Sequence, residues 1–127
     1  MITSSPQVLI VDDELHMCNI LRRILEKEGY RVITVLDGET ALHLTKEKEP
    51  DVILLDLMMP GIDGREVCRR VREFHIKTQV IYFTAKVESD PLALKELRSE
   101  ADAFITKPAT SKQILSRVSS VLEGARQ

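Results

Sequence analysis

The 127-residue chain predicts an α/β fold: a doubly wound sheet of parallel strands covered by helices on both faces. Short apolar runs alternate with longer segments of helical period, the signature of repeated βα units. Two of those runs, Val52 to Leu55 and Val80 to Phe83, are almost wholly apolar rather than alternating, as strands buried on both sides are. Polar residues gather where the runs stop.

Taken in order, the first strand is Val8 to Val11. Met17, Cys18, Leu21, Ile24 and Leu25 then recur at three and four residues, and Gly29 closes that helix. The second strand, Val32 to Val35, is more mixed and reads as a sheet edge. A second helix starts after Asp37-Gly38 and ends before Pro50. After the third strand, Asp63 and Glu66 stand at capping-box spacing ahead of Val67, Val71 and Phe74 on one helical face. Ser89-Asp90-Pro91 opens the fourth helix, where a proline's missing N–H costs nothing. Ala103 to Ile105 is the last strand. Thr110 and Gln113 cap the last helix, which carries Ile114, Val118, Val121 and Leu122 and stops at Gly124. One domain over residues 1–127, with its core at about 7–123, accounts for all of this.

Composition narrows the function classes. Net charge is −2, with no basic footprint of the kind that neutralises nucleic-acid phosphates. The Arg65, Arg69, Arg70, Arg72 and Lys77 stretch is interleaved with Val67, Val71 and Phe74, and reads as the wet face of an amphipathic helix. No apolar run approaches the ~20 residues of a membrane helix, and "MITSSPQ" lacks the features of a secretory signal, so a cytoplasmic protein is expected. Cys18 and Cys68 lack metal or redox spacing and read as small core residues, and the scattered histidines have no assigned role.

The strand ends carry the chemistry. The first run ends in Asp12-Asp13, the third in Asp56 and the fourth in Thr84, and the fifth is followed by Lys107-Pro108. In an open parallel sheet, ligands bind outside the carboxyl ends of the strands where strand order reverses, and order 2-1-3-4-5 sets the first strand beside the third. Asp12, Asp13 and Asp56 then converge and repel unless a cation sits among them. An oxygen-lined site with room for water suits Mg2+. A carboxylate beside such an ion can attack phosphorus to give an aspartyl phosphate, while Lys107 and Thr84 are suited to gripping phosphoryl oxygens. Singly, each residue has a plainer reading: Asp12 or Asp13 as the next helix's N-cap, Thr84 as a strand residue, Lys107 as a solvated lysine. Asp56 precedes "LMMPGIDG" rather than a helix, so the capping explanation is weaker there.

With "VLIVDDE", "DVILLDLMMPGIDG", "VIYFTA" and "ADAFITKP" in sequence, nearly the whole chain resembles the response-regulator receiver domain of two-component signalling, a flavodoxin-like fold of the chemotaxis-regulator type. The resemblance implies a phosphorylation-dependent switch rather than an enzyme. Asp56 would accept a phosphoryl group from a sensor histidine kinase or a histidine phosphotransfer protein. Asp12, Asp13, Asp56 and the backbone carbonyl of Met58 would hold Mg2+, and Thr84 and Lys107 would grip the phosphoryl group. A cis peptide would join Lys107 to Pro108, and Phe104 would be the aromatic that turns inward as Thr84 is drawn to the phosphate. The face of the fourth helix, fifth strand and fifth helix would then control an output partner or effector domain. It implies no direct nucleic-acid or membrane binding, and is compatible with a phosphorylation-linked homodimer.

Two positions bear separately on this. Glu100 stands where that family commonly has a glycine, and it tolerates positive φ poorly, so the fourth helix is extended or the turn after it reshaped. The apolar side chain of Met58 is expected to influence how water reaches an acyl phosphate. Rival functions fit less well. An aspartate-nucleophile phosphohydrolase wants a second acid two residues after its nucleophile, and Asp13 is followed there by Leu15. A nucleotide or flavin binder wants a phosphate-cradling loop, and neither GxxxxGK[ST] nor GxGxxG occurs. A receiver that no longer takes phosphate is opposed by retention of all five polar residues.

Overall fold

The computed structural model describes residues 5–85 and 88–125. Its elements run β1 (Gln7–Val11), α1 (Leu15–Lys27), β2 (Arg31–Val35), α2 (Gly38–Lys48), β3 (Val52–Leu55), α3 (Gly64–Glu73), β4 (Gln79–Thr84), α4 (Pro91–Glu100), β5 (Ala103–Thr106) and α5 (Ser111–Ala125). The strands form one parallel sheet of order β2-β1-β3-β4-β5, as the sequence predicts.

Side-chain alternation along the strands divides the core into two layers. Leu9, Val11, Ile53, Leu55, Val80 and Tyr82 face α2, α3 and α4, where they meet Ala41, Leu42, Val67, Cys68, Val71 and Leu97. Val8, Ile10, Val52, Leu54, Ile81 and Phe83 face α1 and α5, against Cys18, Leu21, Leu25, Ile114 and Val118. Both faces of β1 and β3 are therefore covered, which is why those strands read as unbroken apolar runs. Each fully buried Leu, Ile or Val stabilises the fold by about 1.5–3 kcal/mol relative to exposure.

Caps fix where the helices begin. Asp37 Oδ1 accepts from Thr40 N–H at 2.8 Å and Asp63 Oδ1 from Glu66 N–H at 2.9 Å. Thr110 and Gln113 make the reciprocal box, each side chain bonded to the other's backbone N–H. At Asp63 only half the box forms, because the Glu66 carboxylate turns to Arg69 and Arg70. Gly29, at φ +95°, follows α1 as expected. Two positions correct the sequence reading or resolve it. Helix α5 does not stop at Gly124 but continues to Ala125, since the glycine meets no obstacle and needs no special φ there. Helix α4 extends through Glu100, and Ala101 leaves it in an extended conformation at φ −108°.

Candidate functional site

Ladder hydrogen bonds continue past the strand ends and set the site residues side by side. Asp12 N–H donates to Val35 C=O at 3.2 Å, and Asp56 N–H donates to Val11 C=O at 3.0 Å. The second bond joins β1 to β3, so the adjacency inferred from strand order is what brings Asp12 and Asp56 together. One carboxylate oxygen from each of Asp12, Asp13 and Asp56 lies within 4.8 Å of the others. Asp12 and Asp56 are buried, and Asp13 is exposed.

Lys107 reaches this cluster from the end of β5. Its Nζ donates to Asp12 Oδ2 at 2.6 Å and to Asp56 Oδ2 at 3.3 Å, and it lies 5.2 Å from the centre of the Phe83 ring. The Lys107-Pro108 peptide is cis, as the resemblance implied. Burial pushes the Asp12 carboxyl above its ordinary value, against the Lys107 hydrogen bond and the Glu14 N–H that favour its charged form. For Lys107, burial works toward a lower value, but the hydrogen bond and charge of Asp12, with Asp56 behind them, outweigh it and raise the ammonium. The two directions have one origin: a water-poor site that resists negative charge and is held together by one internal cation.

Thr84 and Met58 adjoin this bridge through their backbones, and Phe104 stands apart from it. Thr84 is fully buried at the end of β4, and its carbonyl accepts from Lys107 N–H at 2.9 Å. Met58 N–H donates to Asp56 Oδ1 at 3.1 Å, while the Met58 side chain is 59% exposed. Phe104 lies on β5 away from the carboxylates, half-buried, edge-on to Tyr82 at 6.2 Å and beneath the Arg98 guanidinium at 5.2 Å.

Sequence reasoning missed several supports. Glu14 N–H donates to Asp12 Oδ1 at 2.9 Å, and the Cys18 thiol donates to Asp12 C=O at 3.4 Å. Gly64 brings the start of α3 against the backbone of Asp56, and the "DG" after "MMPGI" was the available signal. Glu100 accepts from Tyr82 Oη at 3.0 Å and from Arg65 Nε at 2.9 Å, tying α4 to β4 and α3. Arg72 donates to Asp102 at 3.0 Å, and Arg69 pairs with Glu66 and Glu73, so the arginines of α3 are spent on intramolecular carboxylates.

An all-oxygen set of converging carboxylates, two of them already sharing a cation, fits a hard divalent ion. A buried strand-end carboxylate beside two further acids and an ammonium stands at the carboxyl ends of a doubly wound parallel sheet, where folds of this class bind their ligands. The model of the response regulator receiver domain family matches residues 8–119, and the chain belongs to that family. It is thereby a regulatory domain of phosphorylation-dependent two-component signalling. Solved structures agree. A CheY-like response regulator receiver domain protein from Methanospirillum hungatei shares the fold at a TM-score of 0.88 and 24% identity, over 97% of this chain and 98% of that one. The BeF3-activated DrrB receiver domain is 34% identical over 94% and 98% of the two chains, with a TM-score of 0.79. The response regulator TrrA from Thermotoga maritima, solved in complex with Mg2+-BeF, is 30% identical over 91% and 98%, also at 0.79. No helix among the described residues is long and apolar enough to cross a membrane.

Proposed function

We propose that Asp56 is the phosphoacceptor of this receiver, charged by a sensor histidine kinase or a histidine phosphotransfer protein. An Asp56 carboxylate oxygen attacks phosphorus as the P–N bond to the donor histidine breaks, and the electron pair leaves with the imidazole. Asp12, Asp13, Asp56 and the Met58 carbonyl would hold Mg2+, which when bound neutralises phosphoryl and carboxylate oxygens alike. Lys107 moves its charge from Asp12 and Asp56 to the phosphoryl oxygens, and Thr84 supplies a hydroxyl donor. Those shifts bias Phe104 and the surface of α4, β5 and α5 toward a second arrangement that an output partner or effector domain reads. The observation that carries this reading is the Asp12–Lys107–Asp56 bridge beside Asp13: a buried carboxylate pair held by one internal ammonium, next to an exposed third carboxylate.

Acetyl phosphate with Mg2+ tests it, read by intact mass. One phosphoryl group per chain, lost in Asp56→Asn and on chelation of the metal, is expected. Rapid multiple turnover would identify a hydrolase, and labelling that survives Asp56→Asn would overturn the assignment.

A further inference from the structure

Phe83 has no part in the function proposed above, yet it stands beside the charged bridge. Its ring centre lies 5.2 Å from Lys107 Nζ, with the ammonium over the ring face and within cation–π range. Phe83 is 3% exposed and the Lys107 side chain 13% exposed, so little water screens the pair. Lys46, set over the Phe74 ring at 5.8 Å, is by contrast exposed on α2, where the same attraction is weak.

Side-chain alternation explains why the two groups meet. Val8 and Ile10, Val52 and Leu54, Ile81 and Phe83, and Ile105 all face the layer under α1 and α5. The same alternation carries Asp12, Asp56 and Lys107 to that side, with Lys107 two residues beyond Ile105, the partner of Phe83 in the β4–β5 ladder. The bridge therefore sits on the carboxyl-end rim of this layer, and Phe83 is the last apolar side chain that β4 contributes to it. An ammonium has three N–H donors, of which Asp12 accepts one at 2.6 Å and Asp56 one at 3.3 Å, the second long for a charge-assisted bond. A ring face adds attraction without taking a donor from either carboxylate. An aliphatic residue in its place would fill the layer and offer the cation nothing.

We infer that Phe83 is a positioning residue for Lys107: its ring face holds the ammonium in the resting Asp12–Lys107–Asp56 bridge and so opposes entry of a divalent cation among the carboxylates. Both positive charges draw on Asp12 and Asp56, so whatever stabilises one of them there weakens the other. A desolvated cation–π contact is strong enough to change Mg2+ affinity by about three- to tenfold. The metal half of the inference rests on the site proposed above, and the ring's hold on Lys107 does not.

Site-specific replacement of Phe83 by mono-, di- and trifluorinated phenylalanine tests this, because fluorine drains the negative ring face while shape and apolar burial stay nearly constant. Mg2+ affinity of the full chain, read by calorimetry, should rise stepwise along the series, by about three- to tenfold at the trifluorinated ring. Phe83→Leu removes the ring and should bind Mg2+ at least as tightly as the trifluorinated chain. In a Lys107→Ala background the series should be flat, since no ammonium is left over the ring. Indifference to fluorination, weaker Mg2+ binding along the series, or an equal change with and without Lys107 overturns the inference. A metal-free readout stands beside these. In a chain carrying isotope-labelled lysine, the Lys107 side-chain resonance, identified by its loss in Lys107→Ala, should be displaced to high field by the ring and return toward the other lysines in Phe83→Leu. An undisplaced resonance overturns the ring's hold on Lys107. A parent chain that binds no Mg2+ while its Lys107 resonance stays displaced removes the proposed metal site and the competition with it, whereas Mg2+ binding that is flat along the series removes only the role of Phe83.

Discussion

Replacing Gly64 by alanine should damage both stability and phosphoryl acceptance, for a reason visible in the backbone. An ideal Cβ at Gly64 falls 2.4 Å from the Asp56 carbonyl oxygen, 2.8 Å from Leu57 Cα and 3.0 Å from the Asp56 carbonyl carbon. Ordinary contact starts near 3.4 Å, so α3 or the segment bearing Asp56 must retreat by about 1 Å. No side-chain rotation relieves it, because every obstacle is main chain. Overpacking of this kind costs about 1–3 kcal/mol, and the better helix propensity of alanine recovers at most about 1 kcal/mol. A net loss of about 1–2 kcal/mol should lower the melting temperature by roughly 3–8 °C, read by circular dichroism. A displacement of about 1 Å at the attacking carboxylate should also slow acetyl phosphate labelling by about tenfold or more. Gly124→Ala is the control: its Cβ meets nothing within 4 Å, so the variant should melt at or above the parent and label normally. A Gly64→Ala chain that melts and labels like the parent would refute the close-approach argument.

Other outcomes follow from single contacts. Thr45 is fully buried on α2 and its hydroxyl has no hydrogen-bond partner among the described residues, so Thr45→Val should stabilise by about 1 kcal/mol in chemical denaturation. A loss of stability there would mean the hydroxyl is satisfied. Burial, with Cys68 and Glu100 beside it, pushes the Tyr82 phenol far above its ordinary value of 10.0. Below about pH 10 folded and unfolded chains are both protonated; above it the unfolded chain ionises first, so stability falls as pH rises. Tyr82→Phe should flatten part of that alkaline loss in pH-dependent denaturation, and an unchanged slope would argue against it. Lys107→Ala removes the cation that competes for Asp12 and Asp56, so Mg2+ should bind several-fold more tightly by calorimetry even as phosphorylation-dependent output is lost. Weaker Mg2+ binding in that variant would show that Lys107 assists the metal site and does not compete with it.

The sequence by itself determined the elements and their order. Uninterrupted apolar runs such as Val52 to Leu55 follow from burial on both faces, and the edge character of β2 showed in its mixed composition. Asp37, Asp63, Asp90 and the Thr110–Gln113 box marked the helix starts because capping is a local transaction between neighbouring residues. The convergence of Asp12, Asp13 and Asp56 was also legible, since strand order alone forces adjacent strand tips together. Only the tertiary structure decided which partner each polar group takes. That Lys107 bridges Asp12 and Asp56 and that Glu100 reaches Arg65 and Tyr82 depend on distances between residues far apart in the chain. Periodicity fixes the face on which a side chain emerges, but its partner is set by how closely separate elements pack, and that packing is a property of the whole core.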